Sequence, residues 1–252
     1  MLFLLIQRQK IGLNNYICDM KFHFSIVFFL FTGYFIFGQN TVPDSTSIDY
    51  KYREDQFYIS VTYNLLGNKI ANISQNGFSS GIHFGFLRDM PINERRNIAI
   101  GLGFGLSSNS YNQNMLISKV NDQSYNYSIL DKNETPFRKN KFSTYLIDIP
   151  FEFRWRTSTP TEYNFLRIYS GFKFSYLMYN TSKFKSSEGD IILSNIDDFN
   201  KIQYGITLSA GYSNINVHFY YALSDIFKEK AKIDGEHIAM NAIKIGLIYY
   251  IL

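Results

Sequence analysis

The stretch Tyr145-Leu146-Ile147-Asp148-Ile149-Pro150-Phe151-Glu152-Phe153-Arg154-Trp155-Arg156 decides the fold. Tyr145, Ile147, Ile149, Phe151, Phe153 and Trp155 share one parity, while Leu146, Asp148, Pro150, Glu152, Arg154 and Arg156 share the other. Successive side chains of a β-strand point to opposite faces, so this period of two marks a strand with one apolar and one largely charged face. In a soluble sandwich the apolar face would be the core and the charged face would meet water. In a membrane barrel the two roles are exchanged.

Working outward, the same period recurs seven more times. Phe57, Ile59, Val61, Tyr63 and Leu65 oppose Tyr58, Ser60, Thr62 and Asn64 in the first strand. The second sets Phe78, Ile82, Phe84 and Phe86 against Ser79, Gly81, His83 and Gly85, and the third sets Ile98, Ile100, Leu102, Phe104 and Leu106 against Ala99, Gly101, Gly103 and Gly105. The quoted stretch is the fourth. The fifth runs from Leu166 to Tyr176, the sixth from Ile202 to Tyr212, the seventh from Ile215 to Leu223 and the eighth from Ala242 to Leu252. Strands of about 9 to 12 residues match the length that crosses a bilayer at a tilt.

Connection lengths alternate as they do in outer-membrane barrels. Arg88–Arg96, Thr157–Asn164 and Ser213-Asn214 are short, whereas Gly67–Asn76, Ser107 to about Lys141, Asn180–Lys201 and Ser224–Asn241 are long. The pattern predicts an all-β fold, an eight-stranded antiparallel up-and-down transmembrane barrel over residues 56–252. Both barrel ends would lie in the periplasm of a Gram-negative cell, with strand eight closing against strand one.

Composition agrees. The 252 residues include 24 Phe and 20 Tyr but carry a formal charge of only +4. Disorder is excluded by that aromatic content, and a bundle of helical spans by the lack of repeated runs of roughly 20 apolar residues. From Met20 the chain has the form of a signal peptide: Lys21, an uncharged run from Phe24 to Phe37, then Gly38-Gln39-Asn40. Residues 1–19 are expected to be an over-extended start, 20–39 the signal peptide and 40–55 a periplasmic linker; the rival is an uncleaved signal anchor. Cleavage after Gln39 would remove the single cysteine, Cys18, and leave 22 basic against 20 acidic side chains. No disulfide or Cys-based metal site then remains, and no basic footprint points to nucleic acid.

An eight-stranded barrel is just wide enough to be filled by side chains. A hairpin symmetric about Pro160 would set Asp148 opposite Lys173, Glu152 opposite Tyr169 and Arg154 opposite Arg167. The expected lumen is therefore plugged by a polar network of Asp148, Glu152, Arg154, Arg156, Arg167 and Lys173, because charges buried without partners are costly. Pro150, which cannot donate to a ladder, suggests a bulge.

His83 and His218 are expected as hydrogen-bonded lumen residues. His237, in the last long loop beside Asp234 and Glu236, is the one place for an alternative reading as a lipid-modifying enzyme; a small-solute pore is the other alternative. No serine stands at a diagnostic spacing and no metal-ligand or phosphate-binding motif occurs, so no catalytic, cofactor-binding or metal residue is assigned and no enzyme is expected. Asn109, Tyr111, Asn112, Asn114, Tyr125, Asn126 and Tyr127, followed by Arg138, Lys139 and Lys141, suggest a surface loop for glycans or proteins, or one facing lipopolysaccharide.

The fourth strand with its Ile149-Pro150 step and basic end, followed by Arg167-Ile-Tyr-Ser-Gly-Phe-Lys-Phe-Ser-Tyr176, resembles the PorT-like outer-membrane β-barrel family. The weaker part of the likeness runs from about Gln56 to Leu252. It implies a compact barrel that is a structural, interaction or protein-secretion accessory component of the cell envelope, one branch serving type IX secretion. Expected partners are outer-membrane lipid and lipopolysaccharide, the barrel-assembly machinery, and secretion-system or surface proteins; no cofactor is implied. The end Tyr249-Tyr250-Ile251-Leu252 departs from the usual final aromatic.

Overall fold

The alternating stretch 145–156 forms the greater part of a 20-residue strand, and its two parities meet opposite environments. In the computed structural model, which describes residues 55–75, 77–121, 124–131, 136–157 and 165–251, Phe151 and Phe153 are 44% and 48% exposed while Asp148 and Arg154 are 1% and 0% exposed. The apolar face is the outside. That is the inverse of a water-soluble sandwich and the arrangement of a barrel whose solvent is lipid.

The strands in chain order are β1 (Gln56–Gly67), β2 (Ser80–Pro91), β3 (Ile98–Asn112), β4 (Met115–Asn121), β5 (Ser124–Ile129), β6 (Phe137–Arg156), β7 (Leu166–Ser186), β8 (Asp190–Ser194), β9 (Ile202–Tyr212), β10 (Ile215–Asp225), β11 (Lys232–Ile233), β12 (Glu236–His237) and β13 (Asn241–Ile251). Eight of them, β1, β2, β3, β6, β7, β9, β10 and β13, pair successively and antiparallel, and β13 returns to β1 from Phe57↔Ile251 through Gly67↔Asn241. Closure of this kind leaves no unpaired barrel edge in hydrocarbon. The remaining short strands decorate the long connections, and no helix occurs among the described residues. The over-extended start, the signal peptide and nearly all of the linker lie outside the described residues.

Every long connection lies at one end of the barrel and every short one at the other. β6 and β7 rise past their neighbours at the long-loop end, where β8 joins them as a third strand. Several strands are longer than their period suggests. β2 continues to Pro91, β3 to Asn112 and β7 to Ser186, and β6 begins at Phe137.

Two local expectations are corrected. Pairing between β6 and β7 runs Arg156↔Arg167, Arg154↔Tyr169, Glu152↔Gly171, Pro150↔Lys173 and Asp148↔Ser175, so each partner lies two residues further along than a hairpin centred on Pro160 would place it. A shift of two keeps the inward set inward. It also removes the direct opposition of Arg154 and Arg167, and places Arg154 against Tyr169, with its guanidinium 4.7 Å from the ring centroid. Nor is there a bulge at Pro150. The register with β3 is the same before and after it, Leu102↔Phe151 and Gly105↔Asp148, with only the intervening pairs lost. The shifts in the β6–β7 ladder fall instead at Phe137/Lys139 and at Tyr145/Leu146, the second where the paired strands leave the lower wall and enter the raised ribbon.

Candidate functional site: a filled lumen beneath a loop cap

The interior is built in three levels. Nearest the short-turn end, Asp89 accepts hydrogen bonds from Arg156 Nη1 (3.0 Å) and Nη2 (2.8 Å) and from Arg154 Nη1 (3.1 Å). Arg154 Nε donates to Glu152 Oε2 at 3.1 Å, and Arg156 Nε donates to the Arg96 carbonyl at 3.1 Å. The Arg154 guanidinium lies over Tyr169, and that of Arg167 lies 4.5 Å from the Phe165 ring centroid and 5.9 Å from that of Tyr250. Planar guanidinium groups suit both tasks, bidentate pairing and stacking, at once. Gly101 leaves the room they need: a Cβ there would lie 2.7 Å from Arg154 Nε.

At mid-barrel, Asp148 accepts from Ser175 Oγ at 2.6 Å and stands 3.8 Å from Lys173 Nζ. Lys173 and Lys244 approach the Tyr220 ring, their ammonium nitrogens 4.5 and 4.9 Å from its centroid. Such cation–π contacts help to accommodate charge away from water. His83 Nε2 is 3.0 Å from Thr62 Oγ1, and His218 Nδ1 is 2.7 Å from Ser209 Oγ. A cavity lined by His83, Glu152, Lys173 and His218 measures about 20 Å³, room for roughly one water.

The six residues named for the network are thus all buried in the lumen, but their pairing differs from expectation. The principal acid of the lower level is Asp89, which the sequence pattern hides. Arg88 lies on the outward parity of β2 and reads as the end of the apolar face, although a long cationic side chain at the rim can snorkel to water while the strand continues. Lys244 was the more legible omission: Ile243, Ile245, Leu247 and Tyr249 alternate with it on β13.

Above mid-barrel lies an apolar cap. Ile73, Tyr111, Met115, Ile117, Tyr127, Phe142, Ile196, Phe199, Ile226, Phe227, Ile233, Ile238 and Met240 belong to one buried cluster drawn from the strand ends and all four long connections. Phe199 and Phe227 form an isolated β-bridge, with ring centroids 4.5 Å apart, and both rings pack on Phe142. The expected surface loop of Asn and Tyr residues is corrected in part: Asn109, Tyr111, Asn114 and Tyr127 are buried, Asn112 and Tyr125 are half-buried, and Asn126 is exposed. The polar atoms of Tyr127 and Asn114 stitch the cap. Tyr127 donates to Asp198 Oδ2 at 2.8 Å, and Lys230 Nζ lies 2.5 Å from Asp198 Oδ1. Burial and the hydrogen bond to Asp198 push the Tyr127 hydroxyl well above its ordinary pKa.

Asparagine side chains supply the remaining stitches, their amides standing in for strand partners. Asn114 Oδ1 accepts from the Ser74 amide (2.8 Å) while its Nδ2 donates to the Asn72 carbonyl (3.0 Å). Asn180 accepts from the Ile196 amide and donates to its carbonyl, and Asn200 Nδ2 donates to the carbonyls of Asp225 and Phe227. Backbone groups in an apolar cap need such partners. His237 is also tied into this layer. Its Nε2 is 3.3 Å from Asp225 Oδ2 and its Nδ1 3.3 Å from the Ala231 carbonyl, so its acid partner is Asp225 rather than Asp234 or Glu236.

A closed wall of eight tilted strands, lipid-facing outside and filled inside, defines the class: a small integral β-barrel of the outer membrane. The chain belongs to the outer membrane protein beta-barrel domain family, whose model matches residues 37–228. No curated protein matches. Among solved structures, Ail, the attachment invasion locus protein of Yersinia pestis, is similar over 79% of this chain and 99% of its own, at 14% identity and a TM-score of 0.30. A mutant of the Rh. blastica porin is similar over 79% of this chain and 100% of its own, at 8% identity and a TM-score of 0.20.

Proposed function

We propose that this barrel is an outer-membrane platform whose working surface is its loop cap, acting as a structural, interaction or protein-secretion accessory component like the PorT-like proteins it resembles. The observation that carries the proposal is the double closure of the lumen, by the Asp89–Arg154–Arg156–Glu152 network below and the apolar cap above. With the interior occupied, recognition falls to the outer surface of the loops. A cleft of about 800 Å³ there is lined by residues including Asn72, Ser74, Asn126, Ser128, Asp131 and Asp234. Polar clefts carried on loops above a rigid scaffold are a common site of contact.

The short turns and the first and last ends of the barrel's chain, at β1 and β13, face the periplasm in this proposal, and the cap faces outward, as the asymmetry of connection lengths implies. The C-terminal strand β13 is the segment offered to the barrel-assembly machinery. Deletion of the gene followed by proteomics of the secreted and surface fractions tests the role: loss of particular exported proteins supports it, and an unchanged secretome removes the secretion function. Orientation is tested separately by a membrane-impermeant maleimide. Glu188→Cys should label on intact cells and Glu94→Cys only after permeabilisation.

A further inference from the structure

The raised ribbon of β6 and β7 carries an uncommon arrangement of charge. Lys139 is paired directly with Lys185, and Lys141 with Lys183, all four on the outward parity. Like charges directly opposite one another on a sheet are destabilising. Only Lys185 has an acid partner among the described residues, Asp190 at 2.9 Å. Lys141 Nζ donates to Ser110 Oγ at 3.1 Å, a neutral partner. Burial, with Lys139 and Lys183 close by, holds the Lys141 ammonium below its ordinary pKa. Lys139, Lys141 and Lys183 thus concentrate positive charge that no acid among the described residues pairs.

Its height above the bilayer is set by the same strands. From Trp155 to Tyr145 the outward side chains of β6 are apolar or aromatic. At about 3.3 Å per residue and a tilt near 40°, that span covers about 25 Å, the height of the apolar band of outer-membrane barrels. Tyr145 and Tyr179 end the band as a pair with ring centroids 5.8 Å apart, as aromatic residues do at a membrane interface. Lys141 and Lys183 follow across the single small pair Ser143↔Thr181, about 10 Å further from the band edge, and their side chains can reach back to the headgroup layer.

We propose that Lys139, Lys141 and Lys183 form a docking site for a phosphate of the outer-leaflet glycolipid, its acyl chains lying against the apolar wall below Tyr145 and Tyr179. The site rests on the outward orientation of the cap proposed above. Charge complementarity selects the phosphate, and the aromatic pair beneath selects a lipid source over the free ion. The anion would offset the repulsion within the ladder, so the lipid should stabilise the very strands its absence strains.

The test uses the purified full-length barrel in detergent, titrated with lipid A, with enzymatically dephosphorylated lipid A, with inorganic phosphate and with polyglutamate. The variants are Lys141→Gln/Lys183→Gln and the charge-keeping Lys141→Arg/Lys183→Arg, each checked for heat-modifiable migration. Lipid A should bind the wild-type and Arg barrels and bind the Gln variant on the order of tenfold more weakly. Without lipid, the Gln variant should resist urea at least as well as wild type, and lipid A should reverse that order. Equal binding by the Gln variant, or equal affinity for dephosphorylated lipid A, would overturn the proposal. Saturation by inorganic phosphate at the same concentration, or by polyglutamate, would also overturn it, assigning the ladder to free anions or to an acidic protein. The binding assay itself does not depend on orientation, so the two failures are distinguishable: a mislabelled Glu188→Cys would remove the outer-leaflet source whatever the affinity, and lost phosphate selectivity would remove the site whatever the orientation.

Discussion

Arg156 holds Asp89 with both ends of its guanidinium, Nη1 to Oδ1 at 3.0 Å and Nη2 to Oδ2 at 2.8 Å, with neither side chain exposed. The two residues lie on β2 and β6, which do not pair with each other because β3 stands between them. The contact therefore spans the lumen face of three strands and ties the short-turn end together. Removing one partner of a buried pair leaves an uncompensated charge, which typically costs about 3–5 kcal/mol. Asp89→Ala should lower the urea midpoint of the refolded barrel by a corresponding amount, and Arg88→Ala, which alters the outer rim, should leave it nearly unchanged.

Gly101 tests how tightly the same network is packed. A side chain at this position enters space held by Arg154 Nε, Cδ and Cζ, at 2.7, 3.2 and 3.2 Å from an added Cβ. Gly101→Leu should displace the guanidinium from Glu152 and Asp89, destabilising the barrel by at least the roughly 1–3 kcal/mol typical of an overfilled core. Urea denaturation in lipid vesicles measures it.

Tyr127 and Asp198 join the β4–β5 hairpin to the connection that follows β8, and losing the bond should loosen the cap while sparing the wall. Tyr127→Phe leaves a buried carboxylate short of a donor, a cost of about 1–3 kcal/mol. Limited proteolysis should cut the long loops faster, with the membrane-embedded fragment still resistant.

The pH dependence of that contact has a definite sign. The folded Tyr127 pKa is raised, so its stabilisation is complete below the ordinary tyrosine value of 10.0 and is lost as pH rises above it toward the folded value. Loop protection should therefore decline above about pH 10 in the wild type, and Tyr127→Phe should lack that component of the decline.

Strand parity was fully legible because lipid and lumen impose opposite demands on alternate residues. Phe151 against Glu152, or Ile245 against Lys244, reports it without any partner in view. Partner identity was less so. A shift of two residues between β6 and β7 changes the β7 partners of Asp148 and Arg154 while leaving every face unchanged, and parity carries no information about it. Asp89 was hidden by Arg88, whose outward charge resembles the end of a strand. The cap was hidden by polarity: Asn114, Asn180 and Asn200 suggest solvated loops, although their amides serve backbone groups of buried segments. The apolar residues that betray the cap, among them Met115, Ile117, Ile226, Phe227, Ile238 and Met240, come from separate connections and converge only in the fold.

Closure of the lumen is the central claim, and single-channel recording tests it most directly. Purified barrel inserted into planar bilayers should give no reproducible conductance steps, since the guanidinium network and the loop cap both obstruct the path. Stable, unitary openings of the unmodified protein would contradict the account.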